Sequence, residues 1–136
     1  MATAGYSGKP VIEKLGLREG FTVLTLHAPP DYASQLGALP KGVLVRKRLV
    51  PDLDFIHYFT ASEQDLITDF PSLKRGLAKT GMLWISWPKK SSSMKTDLSE
   101  NAIREIGLRN GLVDVKVCAF DDTWSALKFV YRLAAR

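Results

Sequence analysis

The loop after the first strongly apolar segment constrains this chain more than any other feature. Residues 21–26 have the pattern of a buried parallel strand that opens an α/β domain of the nucleotide-binding type. In such domains a glycine-rich loop follows, because only glycine lets the backbone close on a phosphate or a cofactor. Here the chain continues with His27, Ala28, Pro29, Pro30 and Asp31, and the two prolines lack N–H donors. The sequence therefore predicts the frame of a cofactor-binding fold without its usual cofactor loop.

Length and cysteine content predict one domain in a reducing compartment. The 136 residues are enough for a single core, and we expect a flexible segment over 1–8 and one domain over 9–136. No apolar run approaches the ~20 residues that span a bilayer, and the first residues lack the apolar centre of a signal peptide. Cys118 has no partner for a disulfide within the chain. We therefore expect a cytoplasmic protein that does not contact membranes, and the oligomeric state stays open.

Apolar periodicity and turn residues predict strands that alternate with helices. The predicted strands cover residues 21–26, 43–47, 55–60, 82–87, 113–118 and 124–132. Helices are predicted over 9–15 and 32–36, from Ser62 to Thr80-Gly81 with a kink or a division at Pro71, and from Asp97 to Arg109. This order predicts an α/β fold with a Rossmann-like, mostly parallel sheet, helices on both of its faces, and a C-terminal antiparallel hairpin.

Three segments of the sequence resemble a family of small bacterial proteins. The segments cover residues 14–23, 81–90 and 122–128, and the family is the domain of unknown function 3052. The order of elements also resembles a shortened class I methyltransferase fold. The resemblance implies that fold and provides no activity, because function depends on the site and not on the fold.

Three segments depart from active methyltransferases of the fold that the chain resembles. Their first loop carries glycines where this chain has residues 28–30, and their second strand usually ends in an acid that holds the ribose hydroxyls, where this chain has 46–48. The fourth predicted strand leads into residues 87–90 instead of an amino-methylating proline–aromatic motif. We therefore expect no cofactor, with S-adenosylmethionine as the cofactor of an alternative interpretation.

The carboxyl ends of the parallel strands are the expected place for a ligand site. A strand order of 3-2-1-4 brings together the ends of the first, second and fourth strands. The predicted ligand-binding residues are His27, Ala28, Pro29, Asp31, Trp87, Lys89, Lys90 and Ser91, and the predicted basic rim is Arg46, Lys47, Arg48 and Lys95. The net charge of this group is positive, so it indicates an anionic ligand; a solvated basic surface is the simpler interpretation.

Few side chains of this sequence indicate catalysis. His27 follows a strand, where an acid or base is often placed, whereas His57 lies within an apolar strand and is predicted to be a packed core residue. Cys118 is predicted to be an inert thiol, and the two histidines and the cysteine lack the spacing of a metal site.

The leading prediction is a bacterial cytoplasmic protein that is non-catalytic, or that binds an anionic small molecule or a protein partner. The first alternative is an S-adenosylmethionine-dependent methyltransferase with an atypical loop. The second is a nucleic-acid-associated protein that uses the basic rim.

Overall fold

A six-stranded sheet with helices on both faces forms the centre of the computed structural model, which describes residues 10–136. The strands are β1 (Thr22–Leu26), β2 (Leu44–Arg46), β3 (Leu53–Phe59), β4 (Leu77–Pro88), β5 (Leu112–Ala119) and β6 (Trp124–Tyr131). The helices are α1 (Val11–Leu15), α2 (Tyr32–Leu36), α3 (Glu63–Gly76) and α4 (Glu100–Arg109), and a 3-10 turn follows at Leu133–Ala135. The segment 1–8, expected to be flexible, lies outside the described residues, and the single domain over 9–136 stays a prediction.

Strand pairing confirms the predicted fold class. β1 pairs in parallel with β2 and β3, and β3 pairs in parallel with β4, whereas β6 is antiparallel to both β4 and β5. The order across the sheet is β2-β1-β3-β4-β6-β5.

The expected strand order of 3-2-1-4 is wrong, because β3 lies beside β1 and not outside β2. All three residues of β2 are exposed, whereas β3 is buried along nearly its whole length. A short exposed strand is suited to the edge of the sheet, and the apolar β3 takes the interior place. The chain therefore reverses its course across the sheet between β1 and β3, which is where such a sheet places a ligand.

The two faces of the sheet are covered by helices of different length. On one side, which we call the long-helix face, α3 has 14 residues and α4 has 10, and both pack on a large apolar cluster. On the other side, the short-helix face, α1 and α2 have five residues each. Its cluster is rich in aromatic side chains, which include Phe55, Phe59, Trp84, Phe120 and Trp124.

α3 departs from its prediction in two ways. It starts as expected, with the Ser62 Oγ accepting from the Asp65 N–H at 3.1 Å, but it continues through Pro71 as one helix, so the predicted division there is wrong and the kink stays a prediction. Phe70 and Leu73 are both fully buried on the sheet. Their packing offsets the free-energy cost of the one backbone hydrogen bond that Pro71 cannot donate.

The predicted stop of α3 at Thr80-Gly81 is also wrong. α3 ends at Gly76, and β4 begins at Leu77, which pairs with Leu53 before a register shift. Gly81 therefore lies within a strand, where a Cβ atom would stand only 2.8 Å from the Leu53 carbonyl oxygen. The glycine that resembles a helix stop serves instead for close backbone approach.

β5 forms one edge of the sheet and contains a register shift between Asp114 and Lys116. The expected alternation, with Val113, Val115 and Val117 on a half-buried side, does not continue past the shift. Val115 is 54% exposed and Val117 is 49% exposed. One extra residue in a strand moves every later side chain to the opposite face.

Candidate functional site

His27 directly follows β1, at the point where the chain reverses across the sheet. Its backbone φ is +60°, in the left-handed region that glycine adopts most easily. Its exposed imidazole meets the edge of the Tyr58 ring, with the ring centres 5.5 Å apart. The loop therefore makes a glycine-like turn with a side chain that can exchange protons.

Hydrogen-bond acceptors gather at the start of α2, which follows this turn in the chain. The Gln35 Nε2 donates to Asp31 Oδ2 at 2.6 Å and to Asp121 Oδ2 at 3.2 Å, which joins α2 to the β5–β6 turn. The Gln35 Oε1 is buried and has no hydrogen-bond partner within residues 10–136. Asp31 does not cap α2 through its side chain, so its exposed carboxylate keeps acceptor capacity. This group of Asp31, Gln35 and Asp121, which we call the acceptor cluster, is suited to a cationic group.

The rest of the first loop is packed more closely. Ala28 and Pro29 are half-buried, and the Pro29 carbonyl accepts from the Tyr32 N–H at 3.0 Å, which starts α2. Ala28 packs against the aromatic cluster of the short-helix face. Pro30 is exposed, and like Pro29 it has no N–H to offer a ligand.

The loop after β4 closes over the end of β3. The Thr96 Oγ1 donates to the Ala61 carbonyl at 2.8 Å, and the Glu63 N–H donates to Asp97 Oδ1 at 2.8 Å. Asp97 thus contacts the start of α3 instead of starting α4, which is capped by the Ser99 Oγ accepting from the Ala102 N–H at 3.1 Å. Two loops that are distant in sequence form one wall at this edge of the sheet.

Two of the predicted residues at the end of β4, Trp87 and Lys90, line a separate cavity. Trp87 is buried on the long-helix face, whereas Lys90 and Ser91 are exposed. The Lys89 N–H donates to the Thr123 carbonyl at 2.8 Å. A cavity of about 430 Å³ is lined by Trp87, Lys90, Leu98, Ser99, Glu100, Asn101 and Ser125.

The single crevice expected from the wrong strand order is therefore not the arrangement found. β3 lies between β1 and β4. At ~4.8 Å per strand, the end of β4 is displaced from the end of β1 by about 10 Å across the sheet. The assignment of a ligand to His27, Ala28, Pro29 and Asp31, or to the β4 residues, stays a prediction.

The predicted basic rim is exposed and is divided between two places. Arg46 is the last residue of β2 at one edge of the sheet, Lys47 and Arg48 follow it, and Lys95 lies in the loop after β4. Three strand spacings, about 14 Å, separate β2 from β4. The rim is not one continuous cluster across the ends of the strands.

A buried polar network was not foreseen from the sequence. The Tyr32 hydroxyl is 2.9 Å from His57 Nδ1, and His57 Nε2 is 2.7 Å from the Ser86 Oγ. His57 and Ser86 are fully buried, which confirms His57 as a core residue. Burial lowers the pKa of His57 to about 3 and raises the pKa of Tyr32. With no access to solvent, the serine and histidine form a structural network on the short-helix face rather than a nucleophilic site.

The short-helix face also contains an apolar cavity of about 310 Å³. Its lining includes Leu17, Val23, Tyr32, Leu36, Val45 and Phe55. The five residues of α2 and the three of β2 are too few to cover the sheet here. Sequence periodicity gives the position of the two elements but not the gap between them.

Other kinds of site find no support in the described part of the chain. Residues 10–136 contain no group of three metal-ligating side chains. None of the helices described there is long and apolar enough to cross a membrane. Burial raises the pKa of Cys118, and the nearby Lys14 and Lys116 oppose that effect only in part, so the thiol is not activated.

Known structures share the fold of this chain, although no family model and no curated protein matches it. A methyltransferase from Aquifex aeolicus, described as S-adenosylmethionine-dependent, has a TM-score of 0.64 at 18% identity over 88% of this chain and 86% of that chain. Fibrillarin from Aeropyrum pernix, with bound S-adenosylmethionine, has a TM-score of 0.58 at 14% identity over 88% of this chain and 73% of that chain. Magnesium protoporphyrin IX methyltransferase from Synechocystis has a TM-score of 0.57 at 10% identity over 90% of this chain and 78% of that chain. The chain has a methyltransferase-like Rossmann fold.

Proposed function

We propose that this chain binds S-adenosylmethionine at the carboxyl ends of β1 and β3 and acts as a methyltransferase with an atypical cofactor loop. The acceptor cluster at the start of α2, in the loop that follows β1, is the observation that carries this proposal. Two carboxylates and an unused amide oxygen favour a ligand with ammonium and sulfonium charges over an anion. The structural neighbours of this fold include proteins solved with that cofactor.

The residues of the loop fit the cofactor through side chains more than through backbone. The positive φ of His27 provides the turn that a glycine usually provides. Pro29 and Pro30 remove two backbone donors, and Arg46 stands at the end of β2, where an acid usually accepts from the ribose. Asp31, which Gln35 orients, is the carboxylate that replaces it.

Each of the three polar residues then has a defined task. Asp31 would accept from ammonium or hydroxyl groups of the cofactor, and Arg46 would donate to its carboxylate. His27 would take the proton of the methyl acceptor, since its imidazole is exposed at the same turn. When bound, the cofactor supplies the electrophilic methyl group.

The second candidate function is binding of an anionic small molecule without catalysis. Arg46, Lys47 and Arg48 support it, because these three consecutive exposed cations lie at the carboxyl end of β2, the strand next to β1. The two candidates place opposite charges at the ends of neighbouring strands, so charged ligands distinguish them.

Thermal unfolding with S-adenosylmethionine, its demethylated product and ATP tests both candidates. A ligand at about a hundred times its Kd adds ~2.7 kcal/mol, which raises the Tm by a few degrees. We expect the methionine-derived compounds to raise the Tm and Asp31→Asn to weaken their binding at least ~10-fold, the worth of one charge-assisted hydrogen bond. Asp122→Asn is the matched control, because Asp122 is an exposed neighbour of Asp121.

Each outcome assigns the function differently. A shift with ATP alone that Arg46→Gln abolishes supports the anionic-ligand candidate and contradicts the methyltransferase. Equal binding by Asp31→Asn and Asp122→Asn would show that the acceptor cluster does not hold the cofactor. No shift with any of the three compounds contradicts both candidates.

A further inference from the structure

A row of side chains on the short-helix face places two lysines directly opposite each other. Lys128 of β6 pairs with Lys116 of β5 on one side and with Trp84 of β4 on the other. Directly opposite residues of antiparallel strands project to the same face, with Cβ atoms about 5 Å apart. Like charges in that arrangement destabilise a sheet.

The C-terminal turn of α1 satisfies the two ends of this row but not its centre. The Trp84 Nε1 donates to the Leu15 carbonyl at 2.9 Å, and the Lys116 Nζ donates to the Lys14 carbonyl at 3.2 Å. Lys128 lies between them and makes neither a hydrogen bond nor an ion pair with any of residues 10–136. Lys128 is therefore half-buried, and its ammonium has no partner among residues 10–136.

A third cation adds to the charge, and no carboxylate balances it. Burial lowers the pKa of Lys128, and the positive charges of Lys116 and Arg18 lower it further. None of these three side chains is in an ion pair within the described chain. The first nine residues contain neither Asp nor Glu, so their side chains offer no balancing carboxylate either.

We propose that Lys116, Lys128 and Arg18 bind a single tetrahedral oxyanion, either inorganic phosphate or the phosphate group of a small monoester. Such an anion accepts from several cations at once and offsets their repulsion, and lysine is a common point-charge ligand of phosphate. The site is distinct from the proposed cofactor site, because Lys128 of β6 lies three strand spacings, about 14 Å, from β1. Arg18 also precedes β1, whereas His27 follows it. The five residues of β1 span about 17 Å.

Thermal unfolding in sodium phosphate and in sodium chloride, at equal ionic strength and pH, tests the proposal. We expect phosphate to raise the Tm of the wild type by a few degrees more than chloride does. Lys128→Gln should abolish the phosphate-specific rise, and Lys95→Gln should keep it, since Lys95 is an exposed lysine in a loop at the other end of the sheet. Without phosphate, Lys128→Gln should be as stable as the wild type or more stable, because the repulsion is gone.

Further measurements separate the possible sources of the phosphate group. A rise with glycerol phosphate as well as with phosphate indicates a monoester site, and a rise with phosphate alone indicates a site for the free anion. An equal rise in chloride, or one that persists in Lys128→Gln, overturns the proposal. Binding of a DNA duplex without any effect of phosphate also overturns it and indicates a nucleic-acid surface. If Lys128→Gln does not fold, Lys116→Gln provides the same comparison.

Discussion

The two faces of the sheet differ in how completely their helices cover them. On the long-helix face, 14 and 10 residues of helix cover an almost purely apolar cluster. The short-helix face has two helices of five residues, and it contains the Tyr32–His57–Ser86 network and the apolar cavity. It also contains Lys128, which has no hydrogen bond or ion pair within residues 10–136. The fully buried histidine network and the apolar cavity thus lie where helical cover is short.

The two faces of the sheet therefore differ in what they contribute to stability and to function. A face covered by long amphipathic helices excludes water and gains stability from close packing. A face with short helices leaves polar groups and a cavity that a ligand can use, at a cost in stability. If this is correct, equal substitutions on the two faces should have unequal effects.

The largest expected effect is on the long-helix face. Phe70 is fully buried and meets the edge of Phe129, with ring centres 5.6 Å apart. Phe70→Ala should lower the free energy of unfolding by about 4 kcal/mol, because it removes a large apolar side chain and leaves a closed cavity. Urea unfolding monitored by circular dichroism measures this change.

Phe55→Ala on the short-helix face is the matched substitution. Phe55 is also buried, but it borders the existing cavity, so its loss enlarges a space that already opens to solvent. We expect Phe55→Ala to lower the free energy of unfolding by about 3 kcal/mol, at the low end of the range for a buried phenylalanine. An equal or larger loss at Phe55 would contradict the difference in packing between the faces.

The next effect concerns pH and belongs to the short-helix face. The pKa of His57 falls from 6.5 to about 3 on folding, so the unfolded chain binds more protons between these values. The stability that depends on neutral His57 is therefore complete above pH 6.5 and decreases as the pH falls toward 3, by at most ~1.4 kcal/mol per pH unit. Denaturant unfolding at several pH values measures this slope.

His57→Gln isolates the contribution of the histidine, because glutamine forms hydrogen bonds but does not titrate in this range. The variant should be less stable than the wild type at pH 7. The difference between the two should shrink as the pH falls from 6.5 to 4.5. A constant difference would show that His57 does not control acid stability.

The sequence predicts the regular elements well where one face of an element is continuously apolar. α1, β1, α2 and the β5–β6 hairpin lie within a residue or two of their predicted bounds, since capping residues and periodicity are local signals. Strand order was not predictable in the same way. Strand order depends on which strands are buried between neighbours, and β2 is too short and exposed for an interior place.

The candidate site was predictable only as a list of loops. His27 and Asp31 could be placed at the end of β1, because carboxyl ends of parallel strands meet at one edge. Gln35 and Asp121 could not, because they are 86 residues apart and meet only after the hairpin folds back. The Lys116–Lys128 pair likewise depends on a register shift in β5 that no local pattern indicates.

The smallest expected effect compares two tyrosines, one on each face, whose hydroxyl groups both form hydrogen bonds. The Tyr58 hydroxyl donates to Asp69 Oδ2 at 2.6 Å on the long-helix face, and Asp69 is half-buried. On the short-helix face the Tyr32 hydroxyl contacts Nδ1 of the fully buried His57. Tyr58→Phe should lower the free energy of unfolding by about 1 kcal/mol, because water can replace the hydroxyl as the partner of the Asp69 carboxylate.

Tyr32→Phe should cost about 2 kcal/mol, because it leaves a buried nitrogen of His57 without a partner. Equilibrium urea unfolding at pH 7 resolves a difference of this size if both variants keep the wild-type m-value. Equal costs would mean that water reaches His57 through the neighbouring cavity. In that case the short-helix face would be more open than its burial implies, and the polar network would be accessible to a ligand.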